Sequence, residues 1–420
     1  MVFAMARPRP ASGDTVRRRP KDRKAQIARA SAEAFSTLGY YGVSMETIAS
    51  RVGISAAALY RHYAGKYELF RDAVLSLGQQ LVDCTAFAED AAPDDPQLVL
   101  RRLISALIDT AMTNRESGGL YRWEGRYLRG DDQATLISQM RSVHHRIQQP
   151  LSVIRPNLTS HQRWTLSTAV LSVVGSIVDH RAKLPAIQVR ALLADLADAV
   201  LAADLPDPQD AEDAIEVHTP TSGESPRYEA LLNESMRLFN IKGYRDTSVE
   251  DIAATVAMPA SGIYRYFSGK SDILAAAFRR AADRLSAETS TITTTIDDPE
   301  EALTAVIDAY VSRSFAQPEL DYVYYSERLN MSAADQKILR NMQRSTVEAW
   351  VELVISVRPE WTAGQARFAV HAAMSLVIDL GRLMGYQNSE RTLSTVERLI
   401  DLTLLGRYRL RATLPAKYAP

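Results

Sequence analysis

Residues 35–70 recur without a gap as residues 239–274, at a constant offset of 204. The copies keep Phe35/Phe239, Gly39/Gly243, Tyr40/Tyr244, Ser44/Ser248, Glu46/Glu250, Ile48/Ile252, Ala49/Ala253, Val52/Val256, Ala56/Ala260, Tyr60/Tyr264, Arg61/Arg265, Gly65/Gly269 and Lys66/Lys270. A register held through turn residues as well as core residues specifies a backbone, so the chain must build the same unit twice. The repetition continues downstream at an offset of 203, in Pro96/Pro299, Tyr121/Tyr324, Glu124/Glu327, Asp132/Asp335, Gln133/Gln336, Leu136/Leu339, Arg155/Arg358, Pro156/Pro359, Gln162/Gln365 and Ala169/Ala372. The duplicated unit is therefore about half of the 420-residue chain, large enough for each copy to bury its own core.

Both copies read as three helices. Ile27, Ala30, Ala34, Phe35 and Leu38 form one apolar stripe at helical spacing, and Gly39 supplies the left-handed conformation that ends a helix. Ser44 and Ser248 are N-cap residues for a second helix. Gly53 occupies the following turn, where the second copy has Ala257, and Pro259 suits the opening of a helix because its missing N–H would be unpaired there. A short third helix, expected over residues 56–63 and 260–267, ends in aromatics and fits insertion into a major groove.

The strings Val52-Gly-Ile-Ser-Ala-Ala-Ala-Leu-Tyr-Arg-His-Tyr-Ala-Gly-Lys66 and Val256-Ala-Met-Pro-Ala-Ser-Gly-Ile-Tyr-Arg-Tyr-Phe-Ser-Gly-Lys270 resemble the N-terminal domain of the TetR family of bacterial regulators. The resemblance implies an all-α chain of two tandem TetR-like units. Each would be a three-helix helix-turn-helix head followed by a helical body that binds an effector and dimerises through its last two long helices. One head per chain is the family's usual arrangement, and this chain carries two.

Boundaries follow from composition. Residues 1–22 form a basic arm, 23–70 the first head and 71–203 the first regulatory and dimerisation body. Residues 204–226 form an acidic, proline-containing linker, 227–274 the second head and 275–410 the second body. Treated as a coil, a linker of about 23 residues has a root-mean-square span of roughly 25–30 Å and a taut limit of about 75–80 Å. Heads in successive major grooves sit about 34–36 Å apart, so the halves of one chain can pair as subunits of a dimer do. Tethering at an effective concentration on the order of millimolar favours that intrachain pseudo-dimer, with a further homodimer as a second level of assembly. The helices near Trp164–Arg181 and Ala366–Met384, with those near Ala191–Leu201 and Thr392–Leu405, are the expected contact surfaces.

Several classes are disfavoured. Cys84 is the single cysteine, so neither an intrachain disulfide nor a multi-cysteine zinc site can form. The apolar stretch 166–178 is too short for the ~20 residues of a membrane span, and residues 1–9 lack the apolar run of a secretory signal, which points to a cytoplasmic protein without a membrane partner. No glycine-rich phosphate loop, nucleophile elbow or ligand cluster suggests an enzyme, a metal or a cofactor. His144-His145 point about 100° apart on a helix and read as a solvated face or part of an interface.

The expected DNA contacts are Arg17, Arg18, Arg19 and Lys24 from the arm and first helix. The resemblance adds Ser44, Ser55, Ala56, Tyr60, Arg61, His62 and Lys66 in the first head, and Ser248, Ala260, Ser261, Tyr264, Arg265, Tyr266 and Lys270 in the second. Tyr63 and Phe267 read as packing residues under the third helix. Neither recognition helix opens with Arg, Asn or Gln for bidentate base readout. In the bodies, Tyr121, Trp123 and Tyr127, and Tyr322, Tyr324 and Tyr325, fall where the family places its effector pocket, and the expected effector is a small apolar or aromatic molecule. Aromatics at such spacing are also ordinary core.

These readings converge on a ligand-responsive repressor that binds double-stranded operator DNA as a single-chain pseudo-dimer. The alternative is a sensor or interaction protein in which only the first head, or neither, binds DNA. Because positive charge is concentrated before the first head and acids before the second, deletion of residues 1–19 is expected to weaken DNA binding and to flatten its salt dependence, by roughly 0.9 in log–log slope for each phosphate no longer neutralised. Unchanged affinity and slope in a salt titration would make the arm irrelevant.

Overall fold

The computed structural model describes residues 23–89, 95–206 and 226–407; the expected arm and nearly all of the linker lie outside them. The first half runs α1 (Arg23–Gly42), α2 (Met45–Val52), α3 (Ala56–Tyr60), α4 (Lys66–Thr85), α5 (Pro96–Thr113), α6 (Asp131–Ile154), α7 (Ser160–Gly175) and α8 (Ala186–Leu201). The second runs α9 (Pro226–Lys242), α10 (Val249–Thr255), α11 (Ala260–Ile263), α12 (Lys270–Thr295), α13 (Pro299–Ala316), α14 (Pro318–Glu327), α15 (Ala333–Val357), α16 (Ala363–Leu383) and α17 (Glu390–Leu405). No strand occurs among the described residues, and none of their helices is long and apolar enough to cross a membrane.

Repeated residues sit where a helix must start or stop. Ser44 accepts the Thr47 N–H and Ser248 the Asp251 N–H at the openings of α2 and α10. Thr159 with Gln162, and Thr362 with Gln365, form reciprocal capping boxes on α7 and α16. Gly39 has φ 70° and ψ 165°, an extended-type glycine conformation rather than the left-handed helical one expected, and the chain resumes helix for one more turn. Gly53 is left-handed, and Ala257 takes the same place at φ 51° despite its Cβ. The third helices are shorter than expected. His62 and Tyr63 both return their N–H groups to the Leu59 carbonyl, as Tyr266 and Phe267 do to Ile263, so the helix closes in a tight turn that drives Tyr63 and Phe267 into the core.

Neither head is a separate bead. The first core gathers Ile27, Phe35, Ile48, Leu59 and Phe70 and is completed by Leu120, Leu128 and Leu136. The second gathers Phe239, Ile252, Ile263 and Leu274 and is completed by Val323, Met331 and Leu339, the same positions at the 203 offset. The boundaries expected at 70/71 and 274/275 fall inside α4 and α12, continuous helices that carry each head into its body.

The bodies share one core. Leu166, Val170, Val173, Leu193 and Val200 of α7 and α8 belong to the same apolar cluster as Phe368, Leu376, Leu380, Val396 and Leu404 of α16 and α17, and α7 packs on α16. At its edge His180 stacks on His371 with ring centroids 4.1 Å apart, and burial holds both imidazoles below their ordinary pKa. Beside them Arg122 donates to Asp179 of its own half and to Asp379 of α16, each at 2.6 Å, while the Trp123 indole N–H also donates to Asp179 at 2.6 Å. All three charged side chains are largely withdrawn from solvent. Arg122→Met would strand two buried carboxylates and is expected to cost about 3–5 kcal/mol, read as a lower urea midpoint. Adding Asp179→Asn and Asp379→Asn should recover much of that loss; no loss in the single variant would mean that the triad is solvated.

Candidate nucleic-acid interface

Burial sorts the recognition segments in the same way twice. Leu59 and Tyr63, and Ile263 and Phe267, are buried, whereas Ser55, Tyr60, Arg61, His62, Ser261, Tyr264, Arg265 and Tyr266 are exposed. Tyr60 and Tyr264 are 52% and 53% exposed, an unusual solvation for a tyrosine without a partner surface. Ala56 and Ala260 are half-buried at the helix openings, Lys24 is exposed on α1, and Ser44, Ser55 and Ser248 spend their hydroxyls on capping. Arg17, Arg18 and Arg19 lie outside the described residues.

The two repeated lysines behave differently from the expectation of phosphate contact. Lys270 donates to the carbonyls of Tyr244, Arg245 and Thr247 at 2.7, 3.2 and 2.6 Å, which uses all three of its N–H groups. It ties the end of α9 to the start of α12. Lys66 lies over the Tyr40 and Tyr41 rings, 4.6 and 5.8 Å from their centroids, so it too closes the corner below its head. Arg51, exposed in the last turn of α2, is a cation that sequence reading passed over; the second head has Thr255 there and adds Asp251, whose carboxyl the Ser248 and Lys242 hydrogen bonds hold down at about 2. The second head therefore presents less positive charge near its recognition helix.

The heads also touch each other. The Arg245 guanidinium lies 3.8 Å from the centre of the Tyr41 ring, and these two residues are equivalents at the 204 offset. Beneath them Glu124 accepts the Tyr40 N–H at 2.9 Å, Glu327 accepts the Tyr244 N–H at 3.4 Å, and Arg126 crosses between halves to Glu327 at 2.9 Å and to the Ser326 carbonyl at 2.8 Å. One buried polar cluster thus holds the first helix of both heads. The signal was present in the repeat itself, as the pairs Tyr40/Tyr244 and Glu124/Glu327.

The six aromatics expected to line an effector pocket are spent on contacts. Trp123 stacks on Tyr325 at 4.7 Å across the halves, Tyr127 stacks on Tyr40 at 5.7 Å, and Tyr324 packs edge-on against Phe278 at 5.3 Å. Tyr121 packs against the bodies' shared core and the first head's core, and Tyr322 lies under the Arg382 guanidinium. His144, by contrast, packs on Trp164 and bonds to Ser167, whereas His145 is exposed, so the pair does diverge as helical geometry requires.

Residues 27–73 and again 231–277 match the family described as bacterial regulatory proteins, tetR family. The chain carries two TetR-family DNA-binding heads, one in each half. A stretch of 103 residues, 24% of this chain, is 34% identical to the HTH-type transcriptional activator FasR of Mycolicibacterium smegmatis (strain ATCC 700084 / mc(2)155) and covers 47% of that protein. The chain thus matches about half the length of this curated relative. Among solved structures, the ketosteroid transcriptional regulator KstR2 of Mycobacterium tuberculosis is 17% identical, with 44% of this chain and 97% of that one covered at a TM-score of 0.39. The fatty acid degradation regulator FadR from Bacillus halodurans is 18% identical, with 45% and 100% covered at a TM-score of 0.38.

Burial raises the Glu124 carboxyl to about 7, against hydrogen bonding from Tyr40 and the nearby Arg126 and Arg328, with Glu327 reinforcing the rise. A carboxyl that binds its proton more tightly folded than unfolded contributes stability below its unfolded pKa of 4.5 and loses it as pH rises toward 7. Glu124→Gln keeps an acceptor for the Tyr40 N–H and removes the titration. Its stability relative to the parent should therefore grow between pH 4.5 and 7, by on the order of 1–3 kcal/mol; parallel urea midpoints across that window would place the carboxylate in solvent.

Proposed function

We propose that this protein is a ligand-responsive transcriptional regulator, a repressor, in which one chain supplies both heads of a pseudo-dimer to a single DNA operator. The observation that carries the reading is the matched pair of recognition segments, in which Tyr60-Arg61-His62 and Tyr264-Arg265-Tyr266 are all exposed, with Tyr266 alone lying against Tyr228. Tyrosine hydroxyls and arginine guanidinia are suited to phosphate and base-edge contact. Short helices that open at Ser55 and Pro259 offer little direct base readout, so affinity in this reading leans on phosphates and on DNA shape. The first head is the stronger reader, since it has Arg51 and Lys24 where the second has Thr255 and Tyr228.

The ligand-responsive part of the reading is supported by the bodies. An open groove of about 280 Å³ between α5 and α8 has Ile104, Ile108, Ala191 and Ala194 as its apolar lining and Arg101, Arg190 and Asp198 among its polar groups, which suits a small apolar effector with a polar end. The relative FasR is called an activator, and a reporter on the native promoter separates the two signs of control: expression should rise when the gene is deleted. The alternative in which the second head is scaffold draws on its weaker charge.

Footprinting decides among these. Tyr60→Ala is expected to lose protection at one half-site and Tyr264→Ala at the other, with the first loss larger. Unlike half-sites about one helical turn apart are expected, because the two recognition helices differ in sequence. Even loss from both sites would make the heads interchangeable, and no loss with Tyr264→Ala would leave the second head as scaffold.

A further inference from the structure

Four polar and ring contacts between the halves have no symmetric counterpart. Arg122 of the first half meets Asp379 of the second, Arg126 meets Glu327, Trp123 stacks on Tyr325, and Arg245 of the second half sits on Tyr41 of the first. The repeat offsets give the mate of each residue: Tyr325 for Arg122, Ser176 for Asp379, Leu329 for Arg126, Glu124 for Glu327 and Ser326 for Trp123. None of these mates reproduces the ion pair or the stack. Where Arg126 reaches Glu327 in one direction, the opposite direction brings Leu329 close to Gly39, whose added Cβ would lie 3.3 Å from it and 3.8 Å from Glu124.

We propose that the second half is built to pair with a first half and not with another copy of itself. A pair of second halves would set Arg245 against Arg245 where a cation now rests on a ring, Asp379 against Tyr325, and Glu327 against Leu329. Like charges at such separation repel, and buried carboxylates that lose their cations are costly. Of the second half's own nearby cations, Arg382 lies over Tyr322. Arg328, over Tyr324 and Tyr325, also acts on Glu124 of the first half and would meet Glu327 in a second–second pair. That offsets part of the loss and leaves Arg245 and Asp379 as the main barriers. A pair of first halves meets no such barrier, since it would bring Tyr41 to Tyr41 and Arg126 to Glu124. The specificity therefore resides in the second half: attraction to the right partner is joined to repulsion from the wrong one. It holds whether or not both heads bind DNA. Two chains associating through these surfaces would have to exchange halves, first of one with second of the other.

The test uses the full chain with a protease site introduced between residues 206 and 226. After cleavage, natural-abundance and isotopically heavy samples are mixed, unfolded in urea and refolded by dilution, so that the halves choose partners again, and native mass spectrometry reads the pairs. First–second pairs, including those of mixed isotope content, are expected to dominate, with no second–second pairs. Second–second pairs recovered in proportion to chance, or no first–second pairs at all, would overturn the proposal. The variant Arg245→Tyr with Asp379→Ser, which gives the second half the residues found at the equivalent first-half positions, should allow second–second pairs to appear. Their continued absence when first–second pairs form normally would mean that these two residues do not set the choice.

Discussion

A single guanidinium holds the two halves in register. Arg122 is shared between Asp179 of its own half and Asp379 of the other at equal distances, in a region otherwise closed by the apolar core of α7, α8, α16 and α17. Burial of that core supplies most of the stabilisation, at about 25 cal/mol per Å² of apolar surface, but apolar contact tolerates sliding. Desolvated charges do not, because a small displacement leaves a carboxylate without its cation. The shared arginine thus acts less as a source of net stability than as a pin for geometry, and Trp123, bonded to the same Asp179 and stacked on Tyr325, extends the pin toward the heads.

From that pin the path to the heads is short. Trp123 is followed by Glu124, which takes the Tyr40 N–H at the end of α1, and by Arg126, which grips the Glu327 that takes the Tyr244 N–H at the end of α9. Each carboxylate takes the backbone N–H freed just after Gly39 or Gly243, where the chain bends at positive φ. The tilt of one head is therefore linked to that of the other through a contiguous set of hydrogen bonds. Covalent duplication makes this asymmetry possible. In a dimer of identical chains a residue near the axis must be compatible with itself, whereas here Tyr41 and Arg245 can diverge into a ring and a cation. The second copy has also accepted Ala257 at φ 51°, a conformation that costs roughly 1–2 kcal/mol for a residue with a Cβ.

The repeat made the architecture legible because helix caps, turn glycines and core positions are local rules: Ser44, Ser248, Gln162 and Gln365 could be placed from their neighbours alone. Tyr63 and Phe267 were legible for the same reason, as the inward positions of a short helix. What local rules could not supply was the fate of long side chains. Lys66 and Lys270 stand at the right spacing to reach a phosphate, yet their stems place the ammonium groups against rings and carbonyls of the preceding corner. Trp123, Tyr127 and Tyr324 had the spacing of a pocket lining, and only the three-dimensional approach of the second half and of α1 showed that their faces were occupied. Arg51 carries no such local signal, because it belongs to α2, outside the third helix, and has no basic counterpart in the second copy.

The closure of those aromatics bears on how a ligand could act. A ligand shifts an equilibrium only by binding one arrangement better than another. Arg122, Glu124, Arg126 and Glu327 are all bonded in the region between the bodies and the heads, so opening it would break several buried polar contacts at once. The groove between α5 and α8 lies on the outside of the shared bundle instead. The chain just beyond α5 is the segment that Arg115 ties to the carbonyls of Ile177 and Ala182 at the end of α7, and that continues into Arg122 and Glu124. Movement of α5 against α8 would reach the heads through that segment, with Ile104 and Ile108 of α5 sliding on the shared core. In this reading the joint transmits because it is rigid, and the ligand's differential affinity is set where packing is loosest.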